Sequence, residues 1–107
     1  MDVPEIDVET LAARLDQGGY LLDVRQPDEY AEAHVPGALL LPLGLVQERA
    51  AEVPADRTVL VICRSGARSL RAAEFLRAHG VDAVNVAGGT QAWIDAGRPV
   101  ATGDAAG

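Results

Sequence analysis

The stretch Cys63-Arg64-Ser65-Gly66-Ala67-Arg68-Ser69 sets the chain's only cysteine beside two arginines, a glycine and two serines. A thiol is a strong nucleophile only as its thiolate, and positive charge or converging N–H groups favour that form. Arg64 and Arg68 bring full charges and planar forks suited to an anionic substrate. Gly66 lets the chain curl tightly, so that the N–H groups of Ser65, Gly66 and Ala67 turn inward, and Ser69 opens a helix. A lone cysteine after a buried strand can also be a small core hydrophobe. A core cysteine, however, has no use for an anion-binding loop, and the residues after Cys63 favour a reactive thiolate.

Such a loop needs a strand to deliver it and a helix to receive it. Thr58-Val59-Leu60-Val61-Ile62 is β-branched and uninterrupted and ends at Cys63; a helix is expected over 69–79, with Leu70, Ala73 and Leu76 inward and Gly80 stopping it. Earlier in the chain, Val8, Leu11, Ala12 and Leu15 fall at helical spacing before Gly18-Gly19. Tyr20 to Val24 reads as a buried strand, and Pro27 suits the first turn of a helix through Glu32. Ala38 to Leu41 predicts a strand, Leu43 to Glu52 a helix and Val81 to Val86 a strand; Gly88-Gly89 predicts a turn, and Thr90 to Ala96 a closing helix. Apolar strands alternating with helices predict an α/β fold with a mainly parallel sheet covered on both faces. Residues 1–101 are expected to form one domain, and residues 102–107 carry no pattern and are expected to be a disordered tail.

Composition narrows the chemistry. The chain has 107 residues, 49% of them apolar and 23% charged, as expected for one globular domain. A net charge of −7 argues against nucleic acid as a partner. All nine basic residues are arginine, so no lysine is present to form a Schiff base. One cysteine cannot form a disulfide within the chain, and with only His34 and His79 it cannot complete a four-ligand Cys/His zinc site. No metal or organic cofactor is expected. The acidic start, Met1-Asp2-Val3-Pro4-Glu5, leads into no apolar signal region, and no run is long enough for a membrane span. No membrane partner and a cytoplasmic location are the resulting expectations.

Cysteine phosphatases place an arginine after five intervening residues. Here Arg68 follows Cys63 after four, so the ring of donors is one residue short and suits a smaller target, such as a sulfur atom carried on the cysteine. The chain resembles the single-domain rhodanese-like sulfurtransferases from about Ile6 to Val100. The matching segments are Leu22-Asp23-Val24-Arg25 with Glu29-Tyr30, His34-Val35-Pro36-Gly37-Ala38, the Cys63–Ser69 loop, and Gly88-Gly89-Thr90-Gln91-Ala92-Trp93 with Ala96-Gly97-Arg98-Pro99-Val100. The resemblance implies a five-stranded rhodanese domain and a covalent persulfide on Cys63. That sulfur would come from thiosulfate or a low-molecular-weight persulfide and pass to cyanide, a thiol or a protein acceptor. It also implies a six-residue loop, Cys63 to Arg68, where related phosphatases and arsenate reductases of the same fold carry one residue more. Two rival functions stay open: a cysteine phosphatase or arsenate reductase, and a rhodanese-fold module that binds a partner or relays sulfur to it. The family usually has glycine where this chain has Ala33, which predicts a local backbone adjustment.

Asp23 and Arg25, two apart at a strand end, are read first as a structural ion pair and second as support for the loop. His34 is expected to hydrogen-bond backbone near the Pro36 turn rather than act as a base. His79 is expected to end a helix, Trp93 to anchor the last one, and Gly88-Gly89 to be a turn, since no nucleotide-binding glycine pattern accompanies it.

Overall fold

In a computed structural model that describes residues 2–106, five strands form one sheet in the order β1-β5-β4-β2-β3, every pair parallel. They are β1 (Glu5–Ile6), β2 (Tyr20–Asp23), β3 (Leu39–Leu40), β4 (Thr58–Ile62) and β5 (Asp82–Val86). The helices are α1 (Val8–Asp16), α2 (Pro27–Glu32), the short α3 (Val46–Arg49), α4 (Ala67–Ala78) and α5 (Gly89–Asp95). Met1 and Gly107, the outer ends of the expected domain and tail, lie outside the described residues.

Alternation along β4 builds two cores. Val59, Val61 and Cys63 point to one face, packed with Ala72, Ala73 and Leu76 of α4 and Val46 of α3. Leu60 and Ile62 point to the other, packed with Leu11 of α1, Tyr30 of α2 and Trp93 of α5. Both faces of the central strand are therefore dry, which is why its sequence is a continuous apolar run.

The structure corrects several expectations. The stretch 43–52 is not one helix but a 3-10 turn (Leu43–Leu45), α3, and a second 3-10 turn (Ala50–Glu52). Helix α4 begins at Ala67, two residues earlier than expected. Its buried face is Ser69, Ala72, Ala73 and Leu76, at i, i+3, i+4 and i+7, so Leu70 falls outside the stripe and is 36% exposed. The two-residue β1, which pairs Glu5 and Ile6 with Asn85 and Val86, was too short to carry a pattern. Ala33 has φ −168° and ψ 133°, extended backbone that any residue adopts, so alanine needs no adjustment there.

Among the described residues beyond Val100 there is no helix or strand, yet the segment is tied back to the domain. Ala101 exchanges backbone hydrogen bonds with His34 at 2.8 and 2.9 Å, and the Gly103 N–H donates to the Ala31 carbonyl at 2.8 Å. The Gly37 N–H donates to the Ala106 carbonyl at 2.6 Å.

Candidate active site

Cys63 lies just past the carboxyl end of β4, where open parallel sheets gather their ligand-binding loops. Its sulfur is almost wholly enclosed, the residue being 1% exposed. The Gly66 N–H donates to Sγ at 3.1 Å and the Ser69 hydroxyl at 3.2 Å. That hydroxyl also lies 3.2 Å from the Gly66 carbonyl and has one proton to give; a thiolate competes for it better than a thiol. Burial pushes the Cys63 pKa up, but the Ser69 hydroxyl and the backbone N–H groups of Ser69, Gly66 and Ser65 outweigh it, leaving the thiol below its ordinary value.

The loop takes this shape for two reasons. Gly66 sits at φ +111°, left-handed backbone that closes to a residue with a Cβ, and from there it caps α4. On the outer side, the first turn of α5 grips the loop: the Thr90 N–H donates to the Cys63 carbonyl at 2.9 Å and the Gln91 N–H to the Arg64 carbonyl at 3.0 Å. In a trans peptide the C=O and the next N–H point opposite ways. Fixing those two carbonyls toward α5 thus turns the following N–H groups, of Arg64 and Ser65, away from it. Contact this close requires Gly89, where a Cβ would overlap the Cys63 carbonyl oxygen and come within 2.6 Å of the Arg64 oxygen. Asn85 completes the support, with Nδ2 donating to the Glu5 carboxylate at 2.7 Å and to the Gly66 carbonyl at 3.2 Å.

The two loop arginines part company. The Arg68 guanidinium makes a two-pronged bond to Glu29 of α2, at 2.7 and 2.9 Å. The Arg68 hydrogen bonds hold the Glu29 carboxyl well down, at about 2, so it is ionised, and Glu29 in turn raises Arg68. Arg64 is exposed and makes no ion pair among the described residues. It borders a depression of about 210 Å³ between α2, the loop and α5, with Glu29, Glu32, Thr90, Gln91 and Ile94 on its wall. The Thr90 Oγ1 atom is buried there with no hydrogen-bond partner among the described residues.

Asp23 and Arg25 form a buried ion pair. Arg25 Nε and Nη2 donate to the carboxylate at 2.9 to 3.2 Å, and Nη2 also donates to the Ala33 carbonyl at 2.8 Å. The pair links the end of β2 to the end of α2 and does not touch the sulfur. His34 is fully buried and stacks on Tyr30 at 3.7 Å, with Nδ1 2.8 Å from the Tyr30 carbonyl and Nε2 3.2 Å from that of Ala106. Its hydrogen bonds are to backbone, as expected, and none reaches Cys63. His79 caps α4 and Trp93 is buried, its Nε1 donating to the Pro99 carbonyl at 2.8 Å.

A model of the rhodanese-like domain matches residues 7–96 of this chain. The chain belongs to the rhodanese-like family. A sulfurtransferase of Allochromatium vinosum is 44% identical over 101 residues, covering 92% of this chain and 94% of that protein. A putative sulfur carrier protein of Bacillus subtilis is 39% identical over 85% of this chain, which spans about half (51%) of that protein's length. Among solved structures, a rhodanese-related protein of Thermoplasma volcanium superposes with a TM-score of 0.87 at 33% identity, covering 92% of this chain and 97% of the other. The rhodanese-like domain seen here has the five-stranded parallel sheet and flanking helices of such structures. Among its described residues no helix is long and apolar enough to cross a membrane.

Of the residues singled out from sequence, Ser65, Gly66 and Ser69 do converge on Cys63. Ala67 begins α4. Glu29, Asn85, Thr90 and Gln91 were missed as site residues, though Glu29, Thr90 and Gln91 all stood inside the motif segments.

Proposed function

We propose that this rhodanese-like domain is a sulfurtransferase that carries sulfane sulfur as a persulfide on Cys63. The observation that carries this reading is the enclosed sulfur at the focus of Gly66 N–H, Ser69 Oγ–H and the neighbouring amides, with its pKa lowered despite burial. The Cys63 thiolate attacks the outer sulfur of thiosulfate; a Cys63 S–S bond forms, the donor's S–S bond breaks, and sulfite leaves with the electron pair. The new terminal sulfur lies about 2 Å beyond Sγ. Its negative charge is shared by the same fixed donors, which need no reorganisation during transfer. A thiophilic acceptor (cyanide, a thiol or a protein thiol) then attacks that sulfur and regenerates the thiolate. No step calls for a metal or an organic cofactor. Arg64 attracts the anionic donor; Arg68, held by Glu29, keeps α2 against the loop.

Sulfurtransferase-named relatives support this reading, and a sulfur-carrier relative supports a variant in which the acceptor is a dedicated protein. The phosphatase alternative needs the loop arginine on the transferring anion, and the engagement of Arg68 with Glu29 argues against it. The test is the intact mass of the protein after incubation with thiosulfate and desalting, beside Cys63→Ser. A gain of one sulfur atom, reversed by cyanide and absent from the variant, is expected. A free, alkylatable thiol that takes sulfur from neither thiosulfate nor a persulfide would overturn the proposal.

A further inference from the structure

The buried part of β5 carries a single polar side chain, Asn85, 1% exposed and set between Val84 and Val86. Its Oδ1 is buried with no hydrogen-bond partner among the described residues. An unpaired buried acceptor is costly, and a β-branched apolar residue would serve the strand better. The amide must therefore be accounted for by its other atom. Nδ2 has two protons and two acceptors, the Glu5 carboxylate at 2.7 Å and the Gly66 carbonyl at 3.2 Å. Turned over, the amide would set Oδ1 against those same two groups, which can only accept.

The Gly66 carbonyl is contested. As the first turn of α4 closes, the Leu70 N–H donates to it at 3.1 Å, and Asn85 Nδ2 donates at 3.2 Å. Those two fill both lone pairs of a carbonyl oxygen. The Ser69 hydroxyl, also 3.2 Å away, is a third donor for two places, and it lies equally far from Cys63 Sγ. Its single proton goes to the acceptor that is left. That acceptor is the sulfur.

We infer that Asn85 is a positioning residue for the nucleophile: by filling the second place on the Gly66 carbonyl, it commits the Ser69 proton to Cys63. Asn85 makes no hydrogen bond to the sulfur and acts through Ser69. Glu5 holds the amide the right way round, and as an exposed residue it keeps its own charge hydrated. The inference rests on the sulfur-transfer reading only for what the thiolate goes on to attack.

The experiment follows iodoacetamide alkylation of Cys63 against pH in wild type, Asn85→Val, Ser69→Ala and the double variant. Asn85→Leu is measured beside them, so that one poorly folded protein does not decide the matter. These substitutions leave Arg64, Arg68, Glu29 and Glu5 in place, so a moved midpoint reports hydrogen bonding and not a lost charge. In Asn85→Val the midpoint is expected to rise by about one pH unit, or tenfold less thiolate at a given pH. It should rise no further than in Ser69→Ala. In the Ser69→Ala background the same substitution is expected to add nothing, because the proton it would redirect is gone. A midpoint unchanged in both position-85 variants, or an equal rise with and without Ser69, would overturn the inference. Persulfide formation is read separately, by intact mass. Its absence from wild type would sink the sulfur-transfer reading and leave the alkylation result standing.

Discussion

Arg68 leaves the loop of Cys63 and closes on Glu29, thirty-nine residues earlier in the chain, through two bonds of 2.7 and 2.9 Å. An arginine that the sequence offers to the substrate thus also joins α2 to the loop, while Arg64 makes no ion pair among the described residues. Glu29 also accepts the Gln26 N–H at 3.0 Å, so the residue that starts α2 properly is the same one that holds the site closed.

Glu29→Gln tests that arrangement. Released from its partner, Arg68 becomes available to an anion, and KM for thiosulfate is expected to fall several-fold with little change in kcat. A KM unchanged or raised would show that Arg68 cannot reach the donor even when free.

The same pair gives a pH signature. The Glu29 carboxyl is depressed from 4.5 to about 2. A group depressed on folding contributes stability that is present above its unfolded value and lost as pH falls toward the folded one. The contribution is thus intact at neutral pH and fades between about pH 4.5 and 2, and because the pair is partly exposed it amounts to about 1 kcal/mol or less. Urea midpoints of wild type and Glu29→Gln should differ at neutral pH and draw together as pH falls through that window.

Ser69→Ala removes a donor that holds the Cys63 thiol below its ordinary value, so the thiol pKa should rise. Iodoacetamide alkylation followed against pH is expected to show its midpoint moved upward and a rate at neutral pH lowered several-fold. A profile identical to wild type would mean that the backbone amides alone set the thiolate.

Asp23→Asn would leave the Arg25 guanidinium, only 5% exposed, without its counter-charge. Breaking a buried pair from one side costs about 3–5 kcal/mol. Chemical denaturation should show a loss of that size, and the persulfide yield of the fraction that stays folded should be little altered, since the pair does not touch the sulfur.

Gly89→Ala should be worse for chemistry than for folding. The added Cβ collides with the Cys63 and Arg64 carbonyl oxygens, and relief requires the first turn of α5 to back away from the loop. Overpacking of this kind costs about 1–3 kcal/mol. Sulfur loading measured on the folded protein should fall much further than that loss of stability explains.

Strand β4 and the reactive loop were legible because they are written locally: a β-branched run, then Cys63, then glycine and arginine at close spacing. Helix α2 was legible from Pro27 for the same reason. The partners of the loop were not, because a parallel sheet brings together segments far apart in sequence. Glu29 reaches Arg68, Thr90 reaches Cys63, and Asn85 joins Glu5 to Gly66 across the sheet edge. Glycine at position 89 suggested only a turn, while its decisive property is the closeness of another backbone. Leu70 was misplaced because the buried stripe runs through Ser69, Ala72, Ala73 and Leu76, a set with small and polar members that hydrophobicity alone does not mark.

The grip of Thr90 and Gln91 on the Cys63 and Arg64 carbonyls has a bearing on protein engineering. Residues 63 to 69 are not a portable cassette. Grafted onto another strand–helix junction, the same seven letters would lack the clamp that sets their peptide planes, and the thiol would revert toward an ordinary cysteine. A graft would have to bring along the glycine-led start of α5, and a survey for latent sites of this kind should look for the two segments together.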